Sequence, residues 1–106
     1  MGTKKLSVRL HVWVTGRVQG VYFRESTRVE AEKLGVLGWI RNLPDGRVET
    51  VFEGDEQSTN EFLSYLQVGP ERASVKSIEV TREPVTGEFS EFAVLRRDLL
   101  SEQFTK

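Results

Sequence analysis

Alternation opens the chain. Val8, Leu10, Val12 and Val14 interleave with Arg9, His11 and Trp13, a period of two that predicts a strand over about 7–15 with one face against a core and one partly open. After the stretch Gly16-Arg17-Val18-Gln19-Gly20-Val21-Tyr22 the period lengthens. Phe23, Thr27, Ala31 and Leu34 recur at helical spacing and Gly35 follows, so a helix is predicted over 23–34. A second strand is expected over 36–42, closed by the turn Leu43-Pro44-Asp45-Gly46, and a third over 47–54 returns as its hairpin partner. Asp55 or Ser58 is placed to cap a second helix that runs to about Val68 with Phe62, Leu63 and Leu66 as its apolar stripe, until Gly69-Pro70 ends it. A fourth strand is expected over 74–83 with Ile78 and Val80 inward, and a short fifth over 92–96.

The order βαββαβ is that of a ferredoxin-like α+β sandwich, an antiparallel sheet with both helices on one face. For strands 1 and 2 to enclose strand 3 they must run parallel. Their C-terminal ends then share one edge of the sheet, two strand spacings or about 10 Å apart. The glycine stretch ends strand 1 and Asn42 ends strand 2, so the topology predicts that the two meet.

Chemistry concentrates at that edge. Glycine supplies positive φ and lets an anion approach the backbone, so N–H groups of consecutive residues can converge. A helix start adds unpaired donors and the positive end of the dipole. Arg24, one turn in, adds a fork matched to phosphate oxygens. On spacing alone the alternatives stay open. Any strand-to-helix turn can use glycines, an early helical arginine is often solvated, and asparagine is common at strand ends.

The wording narrows the choice. Gly16-Arg17-Val18-Gln19-Gly20-Val21-Tyr22-Phe23-Arg24 resembles the G-x-V-Q-G-V-x-F-R signature of the acylphosphatase family, and Gly38-Trp39-Ile40-Arg41-Asn42 resembles its G-W-V-x-N signature. Tyr22 fills the variable position of the first and Ile40 replaces the valine of the second. The resemblance, which spans about 8–96, implies hydrolysis of small-molecule acyl phosphates without metal or organic cofactor. It implies that Arg24 binds phosphate, that Asn42 positions the attacking water, and that the N–H groups of Gln19, Gly20, Val21 and Tyr22 cradle the phosphoryl oxygens. Asn42 is not a base, because an amide takes no proton near neutral pH.

Composition sets bounds. The 106 residues suit one domain with a core over about 7–97, a loose arm at 1–6 and a tail at 98–106 carrying Leu99, Leu100 and Phe104. A net charge of −1 speaks against a generic polyanion binder, and the acidic Glu49 and Glu53 on strand 3 speak against the RNA-recognition version of this fold. A non-catalytic module binding an anion or a nucleic acid is the alternative reading. With no cysteine and one histidine, His11, there is neither a thiolate nor a multi-histidine metal site, and His11 reads as a surface residue. No apolar run is long enough to span a membrane and no signal segment follows the N-terminus, so the expectation is a cytoplasmic monomer. Trp13 and Trp39 read as packing residues, Arg41 as directed to the face away from Asn42, Arg17 as a source of field, and Glu25, Arg28 and Glu32 as solvated helix pairs.

Overall fold

The computed structural model describes residues 6–96; the tail expected at 98–106, and all but Leu6 of the arm expected at 1–6, lie outside them. The elements are β1 (Val8–Arg17), α1 (Phe23–Leu34), β2 (Leu37–Asn42), β3 (Val48–Gly54), α2 (Glu56–Val68), β4 (Ser74–Glu83) and β5 (Phe92–Leu95). They build one five-stranded sheet in the order β4-β1-β3-β2-β5. β1 and β2 both pair antiparallel with β3, and β4 pairs antiparallel with β1. β5 adds a feature the sequence pattern left undirected. It joins β2 in parallel, so the sheet is mixed and β1, β2 and β5 all point the same way.

Alternation does its work on β1. Val8, Leu10, Val12 and Val14 are buried, and they join Ile40, Phe52, Phe62 and Leu66 in the core. Phe62 stands edge-on to both Phe52 and Phe92, with ring centroids 4.7 and 5.5 Å apart. Such pairs add about 1 kcal/mol each beyond the area they bury. Asp55 caps α2, its carboxylate accepting the Ser58 N–H at 2.7 Å, and Gly35 ends α1 in the left-handed conformation. Val80 departs from expectation. It lies opposite Val12 on the helix side but is 40% exposed, because β4 is an edge strand that the helix layer does not cover completely.

β1 runs two residues further than its alternation suggests. Thr15 faces Ser77 while Gly16 faces Val75, so Lys76 is extra on β4 and the register shifts there. At Gly16 the strands approach so closely that an added Cβ would sit 2.2 Å from the Ser74 carbonyl oxygen. Glycine is required at that position for space.

The face away from the helices is not open. Every residue of β3 is buried, helices on one side and an ion-pair network on the other. His11 belongs to that network rather than to the surface. Its Nε2 lies 2.6 Å from Glu49 and its Nδ1 2.9 Å from Glu83, and its ring stacks on Trp13 at 3.9 Å. Arg41 pairs with Glu49 at 2.7 Å on the same face, as alternation requires. Arg9 bridges Glu53 and Glu83, both at 2.9 Å. The chain from β4 to β5 crosses this face, tethered where the Glu53 carboxylate accepts N–H bonds from Thr86 at 2.9 Å and Gly87 at 3.0 Å.

Burial pushes the Glu53 carboxyl up, but the Thr86 and Gly87 N–H groups and the Arg9 guanidinium outweigh it and leave it below its usual range. Arg9 and then His11 lower Glu83 in the same direction. Depressed carboxylates stabilise the fold fully above their unfolded value of about 4.3, and that stability is lost as pH falls through the folded values. Melting temperature should therefore drop steeply below about pH 4. Glu53→Gln should lose roughly 3 kcal/mol at neutral pH and show a flatter acid limb in a pH series of melts. An acid limb as steep as the wild type's would show that Glu53 contributes little to it.

Candidate active site

The three parallel strands end on one edge, so the close of β1, Asn42 at the close of β2 and Leu95 at the close of β5 converge. Between β1 and α1 the five residues 18–22 turn the chain. Val18 and Val21 are buried in the core and pin this loop, while Gly20 and Tyr22 face solvent. Gly20 at φ 73 and Tyr22 at φ 61 both take left-handed backbone, with Val21 between them. Nothing lies within 4 Å of where a Gly20 Cβ would be, so glycine serves conformation there rather than space. None of the N–H groups of Gln19 to Tyr22 donates to another described residue. The Tyr22 carbonyl accepts the Ser26 N–H at 2.9 Å and starts α1, whose first turn has no side-chain cap. The loop is thus a concavity of free donors above a positive helix end.

Arg24 is half-buried, and its guanidinium donates to the Leu95 carbonyl at 3.2 Å. That contact uses one side of the fork. Glu25 is exposed beside it, but Arg28 takes that carboxylate and holds it below its usual range, and no described carboxylate pairs with Arg24. Asn42 carries a buried Oδ1 with no hydrogen-bond partner among the described residues. Two cavities meet at this pair. One of about 500 Å³ is lined by Val18, Gly20, Tyr22, Phe23, Arg24, Glu25, Asn42 and Val94. The other, about 280 Å³, is lined by Gln19, Arg24, Asn42 and Arg96.

A family profile described as Acylphosphatase matches residues 10–94. The chain belongs to the acylphosphatase family. An acylphosphatase of Methylococcus capsulatus is 54% identical over 88 residues, covering 83% of this chain and 96% of its own length. One of Rubrobacter xylanophilus is 52% identical over 87 residues, covering 82% of this chain and 79% of its own. The solved structure of an acylphosphatase from Coxiella burnetii matches with a TM-score of 0.81 at 40% identity, over 90% of this chain and 100% of that one. This protein is therefore an acylphosphatase, an enzyme that hydrolyses acyl phosphates.

In this acylphosphatase the structure brings Gln19, Gly20, Tyr22, Arg24 and Asn42 to the two cavities. Val21 turns its side chain into the core and has only its backbone at the loop surface. Arg17 pairs with Ser74 at the end of β1 and lines neither cavity. Among the described residues no group of three His, Cys, Asp or Glu stands where it could hold a metal ion, and no helix is long and apolar enough to cross a membrane.

Sequence reasoning missed what β5 and the residue after it supply: the Leu95 carbonyl, the Val94 wall and Arg96. The residues of β5 were visible as a strand, but only its parallel placement carries its end to the site. It also missed the side chain of Gln19. That amide donates to the Leu43 carbonyl at 2.8 Å and the Arg47 carbonyl at 2.9 Å, tying the loop to the β2–β3 turn just past Asn42. Gln19→Ala should cost about 2 kcal/mol in urea unfolding. It should also speed amide exchange at Leu43 and Gly46, whose N–H groups close the turn that the Gln19 amide braces, more than in α2, as read by hydrogen exchange with mass spectrometry. Equal exchange in the two regions would show that the loop is held by its buried valines alone.

Proposed function

We propose that the loop N–H groups of Gln19 to Tyr22 and the Arg24 guanidinium hold the phosphoryl group of an acyl phosphate while Asn42 orients the attacking water. The observation that carries this is the buried Oδ1 of Asn42, without a partner among the described residues, beside an arginine that no described carboxylate pairs. A buried acceptor left without a partner costs about 1–3 kcal/mol. Such a group is retained where a substrate or water completes it.

The chemistry asks for little else. Water attacks phosphorus, the bond from phosphorus to the bridging oxygen breaks, and the acyl group leaves as a carboxylate. The proton of the water passes to a phosphoryl oxygen. A carboxylate is already a stable leaving group, so no strong acid is required. The transition state is loose, and catalysis reduces to placing the reactants and stabilising charge on the equatorial oxygens. Backbone donors fixed before the reaction do this without reorganising. The Leu95 carbonyl sets the angle of Arg24, which supplies a fixed cation at the same oxygens. Every group comes from one chain, so the reading needs no second copy, and a chain without cysteine suits a reducing cytoplasm.

Two variants separate the roles. Arg24→Ala should weaken competitive inhibition by inorganic phosphate as well as slow turnover, and Arg24→Lys should rescue poorly because an ammonium lacks the planar fork. Asn42→Ala should lower kcat by about 10² while phosphate competes almost normally, since the contact matters chiefly on the way to the transition state. Its melting temperature should hold or rise, because an unsatisfied acceptor has been removed. If Asn42→Ala keeps wild-type kcat, or loses phosphate affinity as badly as Arg24→Ala, this division of labour is wrong.

Turnover of an aromatic acyl phosphate should continue in excess chelator, because loop and arginine already neutralise the phosphoryl charge. Alkyl phosphate monoesters should be turned over at least 10³-fold more slowly, for want of an acid to protonate an alkoxide, at a typical worth of 10²–10⁴ for such a group. Loss of activity with chelator and its return with magnesium would sink the mechanism.

A further inference from the structure

Tyr22 carries two costs and, within the described chain, no matching return. It is the one non-glycine residue with positive φ among the described residues, at φ 61 and ψ 22. That conformation is unfavourable by about 1–2 kcal/mol for a residue with a Cβ, and glycine or asparagine would adopt it more easily. Its side chain is 79% exposed, so the ring contributes almost nothing to the core. It caps α1 without a side-chain hydrogen bond. A large aromatic group held in solvent on strained backbone is accounted for when something outside the described residues covers it.

What would cover it is indicated by its surroundings. Tyr22 lines the cavity of about 500 Å³, whose other apolar walls are Val18, Phe23 and Val94, next to Arg24 and Asn42. The cavity of about 280 Å³ on the other side of Arg24 and Asn42 has only Gln19 and Arg96 besides them and offers no apolar wall. Of the two compartments that meet at the catalytic pair, only the larger suits a carbon chain. The acyl group is joined to the phosphoryl group through a single oxygen. A phosphoryl group on the loop donors, which include the Tyr22 N–H, therefore starts its acyl arm within reach of the Tyr22 ring.

We infer that Tyr22 is the specificity residue for the acyl end, its ring packing on the substrate's acyl group and favouring aryl acyl phosphates over short alkyl ones. The inference rests on the placement of the phosphoryl group given above. The strained backbone presents the ring, and the ring, rather than its hydroxyl, makes the contact. Binding covers an exposed aromatic surface, and an aromatic pair adds attraction beyond the area buried. The φ of 61 is then part of substrate recognition, a local strain kept because the bound state relieves the exposure it creates.

The test compares benzoyl phosphate with acetyl phosphate in the wild type, Tyr22→Asn and Tyr22→Phe. Asparagine tolerates the left-handed region, so the loop keeps its path while the ring is lost. The quantity read is kcat/KM for benzoyl phosphate divided by that for acetyl phosphate. Differences in intrinsic reactivity cancel when each variant's ratio is set against the wild type's. The ratio should fall about tenfold in Tyr22→Asn and stay within twofold in Tyr22→Phe. The melting temperature of Tyr22→Asn should equal or exceed the wild type's, which a core-packing role would not allow. A ratio unchanged in Tyr22→Asn overturns the inference even if both activities fall, because Tyr22 would then act on the loop alone. A ratio lost equally in Tyr22→Phe also overturns it, by assigning recognition to the hydroxyl. Failure of the underlying reading looks different: Arg24→Ala would leave both activities intact, and the inference would fall with it.

Discussion

A charged phosphoryl group can be held by backbone N–H groups only if those groups are fixed in space and yet not used up in holding themselves. On the function proposed above, this constraint governs the edge of the sheet where the loop lies. Elsewhere a loop becomes rigid by pairing its donors. Here rigidity is imported from other atoms of the same residues: the buried side chains of Val18 and Val21, and the amide of Gln19 on the Leu43 and Arg47 carbonyls. The first signature alternates accordingly between residues that anchor and residues that leave the backbone accessible. Its interior position in the sheet adds to this, since β1 is gripped by β3 on one side and β4 on the other up to the point where the loop begins.

The parallel trio β1, β2 and β5 distributes the remaining tasks. β1 delivers the donors, β2 delivers Asn42, and β5 delivers the carbonyl that orients Arg24. The placement of β5 depends in turn on the segment that crosses the sheet's other face and is tethered to Glu53. A buried carboxylate on the side remote from the cavities therefore helps to decide where a strand ends beside them. The two faces of the sheet thus serve one edge, where the loop, Asn42 and Arg24 line the two cavities.

How much of this could be read from the chain depended on what kind of contact was involved. Arg24 and Asn42 were legible because they are side chains with letters of their own and the wording around them is distinctive. The strands and helices were legible because burial imposes periods of two and of nearly four. The Leu95 carbonyl was not, since a main-chain oxygen has no letter of its own and its position follows from the direction of β5, which four residues do not encode. His11 looked like a surface residue because its two carboxylate partners, 38 and 72 positions away, become neighbours only once the register of three strands is known. Val80 looked inward because alternation reports a face but not whether a helix reaches far enough to cover it. Tyr22 stood at a position where the signature varies, and its backbone angle is set by the turn, not by any preference of tyrosine.

The pairing of the first strand with later ones also has a consequence for the chain during synthesis. β1 leaves the ribosome before either of its partners, and the guanidinium of Arg24 waits for a carbonyl 71 residues downstream. At 5–20 residues per second that interval is roughly 4 to 14 s. For the first part of it, until β3 emerges, the β-prone run Val8–Val14 is unpaired, and Arg9 and His11 interrupt what would otherwise be an adhesive apolar segment. The same two residues later bridge the carboxylates of the folded sheet, Arg9 to Glu53 and His11 to Glu49. The polar side chains of Arg9 and His11 thus guard the nascent strand before they lock the finished one, and the loop, Asn42 and the Leu95 carbonyl come together only with the last strand.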